Sequence, residues 1–161
     1  MEHITYKTIG IINTPHQETE KTPVQPVYSK GIKGTVLIYP EYAEGLKDLE
    51  GFSHIYLLYH FHKVEKCKLI VKPFLQDVER GIFSIRAPYR PNPIGISIVR
   101  LMEKQDNVLH IEDVDILDGT PLIDIKPYTA KFDLMENIRS GWQDEVSLQT
   151  AEIRGKRDYK E

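Results

Sequence analysis

Apolar positions along this chain recur with a period of two in short runs, each closed by Gly, Pro or Asp, which is the pattern of strands rather than of amphipathic helices. The runs predict strands over residues 5–13, 34–39, 55–62, 82–86, 95–102, 108–116 and 122–125. In the third, Ile55, Leu57, Tyr59 and Phe61 alternate with Tyr56, Leu58, His60 and His62, so both histidines fall on the less apolar face, where they could line a pocket. The run over 108–116 changes phase: Leu109 and Ile111 are apolar at odd positions, Val114 and Ile116 at even ones. A β-bulge near Glu112 and Asp113 would repair the phase and aim Asp115 and Leu117. So many short strands, with edges to protect, predict a mainly β fold: a single β-barrel domain with a few short helices.

Helical signals are sparse. Pro40 suits a first turn, Ala43, Leu46 and Leu49 space an apolar stripe, and Gly51 suits the end. A second helix is expected from Asp133, where Glu136 three residues on resembles a capping box ahead of Ile138, with Gly141 as its stop. Residues 143–154 are weakly helical, and the charged stretch 155–161 is expected to fray. The barrel domain is thus assigned to residues 1–142, followed by a short charged extension over 143–161, with no second domain.

Composition narrows the class. A chain of 161 residues buries enough surface to hold a core without staples, and 40% hydrophobic with 28% charged residues is ordinary for a globular domain. The single cysteine, Cys67, cannot close an internal disulfide, and the first residues lack the basic and apolar regions of a signal peptide, so a cytoplasmic location is expected. No apolar run approaches the roughly 20 residues that span a bilayer, so no membrane partner is expected. The net charge of −3 hides an asymmetry: residues 60–100 carry eight Lys/Arg against three Asp/Glu, while the flanking parts are acidic. Such an island can attract phosphates, because exposed charges separated by more than about 8–10 Å are screened from one another. It can equally be a solvated face.

No dinucleotide fingerprint, P-loop, nucleophile elbow or zincin helix occurs, which argues against a Rossmann enzyme. His60, His62 and Cys67 make only a weak metal pattern, and Asp113, Asp115 and Asp118 surround a turn signal, so no metal is expected. Two stretches are more specific. In the first, Pro88, Pro91 and Pro93 stiffen the loop that carries Arg86, Arg90 and Asn92; the loop either preorganises those side chains or turns a tight barrel corner. The second surrounds the Asp118-Gly119 turn with Leu117, Thr120, Asp124, Lys126 and Tyr128. There Asp124 and Lys126 share one strand face and can pair, or can separately orient a substrate and meet a phosphate.

Together R-x-P-x-R-P-N-P-I-G-x-S from Arg86 and D-x-L-D-G-T-P-x-x-D-I-K-P-Y from Asp115 resemble the TsaA-like, or TrmO, family. The resemblance extends over roughly residues 5–142, through Thr14-Pro15, Pro23-Val24-Gln25-Pro26, Leu49-Glu50-Gly51-Phe52-Ser53-His54 and Phe61-His62. It implies a homodimeric β-barrel that binds S-adenosylmethionine without a Rossmann fold and N6-methylates threonylcarbamoyladenosine beside the anticodon of tRNA. Carried over by position, cofactor contacts fall on Pro23, Val24, Gln25, His62, Lys63, Arg86, Ile96, Leu117, Asp118, Gly119 and Thr120. Val24 stands where bacterial relatives often have arginine, and the chain ends soon after Trp142, where those relatives carry a further C-terminal domain. An N6 bearing a carbamoyl group has an acidified N–H, so Asp118, Asp124 or Tyr128 is expected to remove its proton. Lys72 and Arg90 are expected on phosphates, Asn92 on a base or the carbamoyl group, and Lys126 also on RNA. Two alternatives share these loops: a non-catalytic module that binds the cofactor or RNA, and a methyltransferase of the same barrel acting on a small molecule.

Overall fold

A computed structural model describes residues 1–157. Six antiparallel strands close into a barrel: β1 (Gly10–Asn13), β2 (Lys33–Ile38), β3 (His54–His60), β6 (Ile94–Gln105), β7 (Val108–Glu112) and β8 (Thr120–Pro127), in the order β1-β2-β7-β6-β3-β8. The pair β4 (Ile70–Val71) and β5 (Arg80–Gly81) forms a separate ribbon in the long β3–β6 connection. Inward residues alternate along each strand, as the period-two reading requires. Ile12, Val36, Ile38, Ile55, Leu57, Val99, Leu109, Ile111 and Leu122 fill the interior, and closure leaves no unpaired barrel edge. Gly95 is needed where it stands: a Cβ there would lie 2.3 Å from the Tyr59 ring, which packs across the strand opposite.

Several boundaries differ from the expectations. The first strand starts only at Gly10, and residues 1–8 are exposed. The stretch 82–86 is no strand but a 3-10 turn over Ile82–Ser84; its buried apolar residues, Ile82 and Ile85, stand three apart, which is turn spacing. The ladder of β7 ends at Glu112. Asp113 then takes φ 66°, and this left-handed residue, not a bulge, resets the phase so that Val114, Asp115 and Ile116 are all buried. The bulges lie elsewhere, at Met102 in β6 and Ile123 in β8.

The helix after Pro40 is a 3-10 segment, Pro40–Leu46, separated from a second turn, Leu49–Gly51, by Asp48 at φ 65°. The helix expected from Asp133 ends there instead. In α1 (Ala130–Asp133) Thr129 caps the Phe132 N–H while the Asp133 carboxylate accepts the Thr129 N–H at 2.9 Å, so the aspartate closes the capping box rather than opening one. Gly141, at φ 58°, begins a 3-10 turn, Gly141–Glu145, rather than stopping a helix. The weakly helical reading of 143–154 becomes that turn plus α2 (Leu148–Lys156). Gly155 is buried, so the fraying expected from residue 155 does not begin there, and residues 158–161 lie outside the described residues. No helix among the described residues is long and apolar enough to cross a membrane.

Candidate functional site

An antiparallel barrel has two mouths, and the loops of one mouth hold most of the predicted site. The ends of β1, β3 and β7 and the starts of β2, β6 and β8 meet there, so the connections 14–32, 61–93 and 113–119 share one end of the molecule. Pro23, Val24, Gln25, His62, Lys63, Arg86, Leu117, Asp118, Gly119 and Thr120 all lie on or beside these connections, as do Lys72, Arg90 and Asn92.

Asp118 knits two of the connections together. Its carboxylate accepts the Thr14 N–H at 2.9 Å and its own N–H donates to the His16 carbonyl at 2.8 Å. The Thr14 hydroxyl donates to the Ile116 carbonyl at 2.6 Å, and Thr120 Oγ1 donates to the Leu117 carbonyl at 2.6 Å. Gly119 supplies the φ of +74° that the turn requires. A second link joins the 14–32 connection to the 61–93 connection: Arg86 Nη1 donates to Gln25 Oε1 at 2.8 Å, and both side chains reach the surface. Burial first, then the charges of Lys63 and His60, depress the pKa of half-buried His62 below the ordinary histidine value and so favour its neutral form. A cavity of about 330 Å³ opens beside the first loop, lined by His16, Lys21, Pro23, Tyr28, Ile32, Lys156 and Arg157.

The proline loop is as stiff as its sequence implies. Arg90 N–H donates to the Pro88 carbonyl and Ile94 N–H to the Asn92 carbonyl, two γ-turns of three residues each, while Asn92 and Arg86 are exposed. Arg90 is differently occupied: its Nη1 bonds the carbonyls of Ile82 at 3.0 Å and Ile85 at 2.6 Å, and the guanidinium packs over Phe83. It therefore fastens the 3-10 turn ahead of Arg86. Lys72 and Lys63 are exposed.

The remaining predicted residues are not on the loops of this mouth, although Ile96 and Asp124, both opposite Leu58, lie only two strand positions in from the mouth end of β3. Asp124, Lys126 and Ile96 stand on the outer wall, where Leu58 pairs with both Asp124 and Ile96. Asp124 and Lys126 form the ion pair their spacing allows, at 3.1 Å and largely exposed. Tyr128 lies beyond β8 against His54 and Tyr56. Lys126 follows Thr120 by six positions along β8, roughly 20 Å at the usual rise. Within one chain, Asp118 is thus remote from Lys126 and Tyr128.

Sequence reasoning missed one polar cluster inside the barrel. Asp115 is 8% exposed and accepts a 2.6 Å hydrogen bond from Ser97 Oγ, which in turn lies 2.9 Å from the Tyr59 hydroxyl. The one Ser97 proton goes to the carboxylate, so Tyr59 donates to Ser97. Burial pushes the Asp115 pKa up to about 7, against the opposing pull of the Ser97 bond and of Arg86, and the same burial raises that of Tyr59. The available signal was Ser97, a polar residue at an inward position of a strand. Among the described residues, no group of three or more His, Cys, Asp or Glu is arranged to hold a metal ion.

The chain is similar to known proteins in sequence and in fold. The chain is 55% identical over 139 residues to a probable S-adenosyl-L-methionine-binding protein of Pyrococcus abyssi, covering 86% of this chain and 76% of that one. It is 35% identical over 138 residues to the tRNA (adenine(37)-N6)-methyltransferase of Escherichia coli, covering 80% of this chain but only 59% of that enzyme. The crystal structure of TrmO from Pseudomonas aeruginosa superposes with a TM-score of 0.74 at 34% identity, over 89% of this chain and 63% of that one. Residues 11–134 match the model of the tRNA-methyltransferase O N-terminal domain, and the chain belongs to that family.

Proposed function

We propose that this protein is an S-adenosylmethionine-dependent methyltransferase acting in the cytoplasm on tRNA, at the N6 of the adenosine next to the anticodon, in its threonylcarbamoyl form. The observation that carries the reading is the convergence at one barrel mouth of the Asp118 turn, the Gln25–Arg86 pair and the stiff Asn92 loop, each fastened by its own hydrogen bonds. The E. coli relative is named for methylating the N6 of adenine 37 in tRNA and the Pyrococcus relative for binding S-adenosyl-L-methionine, and both names agree with the reading.

The side chains at this mouth suit the cofactor. Arg86 and Gln25 offer guanidinium and amide N–H groups to a carboxylate, and the partly exposed Val24 and Leu117 are apolar residues on the loops of the same mouth. When bound, the cofactor supplies an activated methyl group. The protein's part is to align the acceptor nitrogen with it and to exclude water. Of the three candidate bases, Asp118 is the one carried on a loop of this mouth. A carboxylate has lone pairs beyond the one engaged by Thr14, and so can accept the acidified N6 proton. Lys72 and Lys126 take phosphates, Lys63 stands with the cofactor contacts, and Asn92 reads the carbamoyl group or a base.

The working form is a homodimer. In support, the outer wall carries Ile94, Ile96 and Ile98 in a row on β6, with Leu58 beside them, all at least partly exposed. A second copy over this wall would bury that apolar row and bring Asp124, Lys126 and Tyr128 towards a neighbouring mouth.

The test incubates purified protein with labelled S-adenosylmethionine and carbamoylated or unmodified tRNA, followed by digestion to nucleosides and sedimentation of the same sample. Label on the N6 of the carbamoylated nucleoside is the expected result. Cofactor binding without transfer would make the chain a binding module, and an active monomer at micromolar concentration would refute the dimer.

A further inference from the structure

The C-terminal segment, residues 141–157, falls outside the matched family domain, yet it touches both loops that carry the Gln25–Arg86 pair. On the first loop, the Gly155 carbonyl accepts the Val24 N–H at 2.9 Å, one residue before Gln25. The Gly155 Cα rests on the Tyr28 ring so closely that a Cβ would stand 2.4 Å from its carbons. Arg157 Nη1 donates to the Thr19 carbonyl at 2.9 Å, and its guanidinium lies over Phe74, 4.3 Å from the ring centre. On the second loop, Trp142 Nε1–H donates to the Ser84 carbonyl at 2.8 Å, two residues before Arg86. Arg154 meets Asp77 through both carboxylate oxygens, at 3.1 and 3.2 Å, and Arg80 lies over the Trp142 ring.

These contacts have a common consequence. The 14–32 loop holds only 3-10 turns, and residues 82–93 hold one 3-10 turn, two γ-turns and three prolines, so neither takes part in the barrel ladder. A loop of this kind loses conformational freedom when it closes on a ligand, and every element that orders it beforehand moves that cost from binding to folding. We propose that residues 141–157 form a positioning clasp, with Trp142 and Gly155 as its positioning residues. It grips the chain just before Gln25 and just before Arg86, and so holds the pair in its ligand-ready geometry in the free protein. The proposal rests on the reading that Gln25 and Arg86 hold S-adenosylmethionine.

The test uses the full chain with Trp142→Phe, which keeps the ring and loses the N–H, and Gly155→Ala, whose methyl group meets Tyr28. Three quantities are read: amide hydrogen exchange in the free protein, the Kd for S-adenosylmethionine, and KM against kcat with tRNA. Faster exchange is expected at the Val24 amide in Gly155→Ala and across residues 82–86 in Trp142→Phe. The Kd and KM should rise about three- to tenfold, the range expected when a loop or side chain must be ordered on binding, with kcat at saturation held. Adding Gly155→Ala to Gln25→Ala should cost little further affinity, because both act through one side chain. The clasp is overturned if Arg86→Ala weakens binding while Trp142→Phe and Gly155→Ala do not, or if exchange quickens without a change in Kd. Equal binding by wild type and Arg86→Ala would instead remove the cofactor reading, and the clasp's purpose with it.

Discussion

Replacing the buried carboxylate by an amide, Asp115→Asn, isolates the largest electrostatic cost inside the barrel. Asp115 titrates near 7 in the folded chain because burial penalises its charge, whereas in the unfolded chain it titrates near its ordinary value of 3.8. Between those values the folded state holds a proton that the unfolded state has lost. The stabilising contribution is therefore complete below about pH 4 and is lost as pH rises through about 7, at about 1.4 kcal/mol per pH unit. The full span is worth about 4 kcal/mol, a large share of a typical domain's 5–15 kcal/mol. The amide cannot ionise, yet its oxygen can still accept the Ser97 hydroxyl, so the substitution removes the slope while keeping the bond. Half-buried His62, whose pKa is depressed, gives a slope of opposite sign below its ordinary 6.5 and partly masks the effect in the wild type. Subtracting the two proteins' unfolding free energies cancels that term. Urea titrations of both from pH 5 to 8 should show the variant gaining about 2–3 kcal/mol on the wild type, or roughly 4–12 °C in Tm for a domain of this size. Parallel stability curves across this range would refute the argument, since they would mean that the Asp115 charge is not penalised by the barrel.

Arg86→Ala should leave Tm nearly unchanged and weaken S-adenosylmethionine binding by about ten- to a hundredfold, the loss expected for a charge-assisted hydrogen bond; calorimetry reads both the affinity and its absence. Asp118→Asn keeps an acceptor for the Thr14 N–H but loses the base, so kcat should fall about 10²-fold or more with Tm held, whereas Asp118→Ala should also cost about 1–2 kcal/mol of stability. Lys72→Ala should reduce the slope of log tRNA affinity against log salt by about 0.7–0.9, while Arg90→Ala, which unfastens the 3-10 turn at Ile82–Ser84, should lower Tm more than it alters that slope.

The barrel was legible because period-two alternation carries its own geometry. Ile55, Leu57 and Tyr59 point inward in the structure as the pattern says, and Val99, Ser97 and Gly95 answer them across the ladder. What stayed hidden were places where one backbone angle outranks pattern. Asp113 at φ 66° ends a strand that side-chain periodicity would continue through a bulge, and no property of Asp distinguishes that outcome from an ordinary turn residue. The stretch 82–86 misled for a related reason: Ile82, Phe83 and Ile85 are good strand formers, but the Arg90 guanidinium gathers the carbonyls of Ile82 and Ile85 into a turn that no local propensity specifies.

The site was legible to the extent that its residues are positioned by their own loops. Pro88, Pro91 and Pro93 announce a rigid segment, and Asp118-Gly119 announces a turn, so their neighbours could be named from sequence. The Gln25–Arg86 bond and the Val24–Gly155 bond join residues 61 and 131 positions apart, and nothing local in either member points to the other. Strand length is a constraint that sequence did state, and it bears on the choice of base. Lys126 follows Thr120 by six residues of β8, so a proton acceptor at Tyr128 and one at Asp118 cannot serve the same nitrogen from a single chain. Loss of catalysis in both Asp118→Asn and Tyr128→Phe would therefore require a second copy at the mouth. Mixing the two inactive variants would then restore up to about one mouth in four under random pairing, because a heterodimer would hold one intact mouth and one doubly damaged one, whereas a monomeric enzyme would recover nothing.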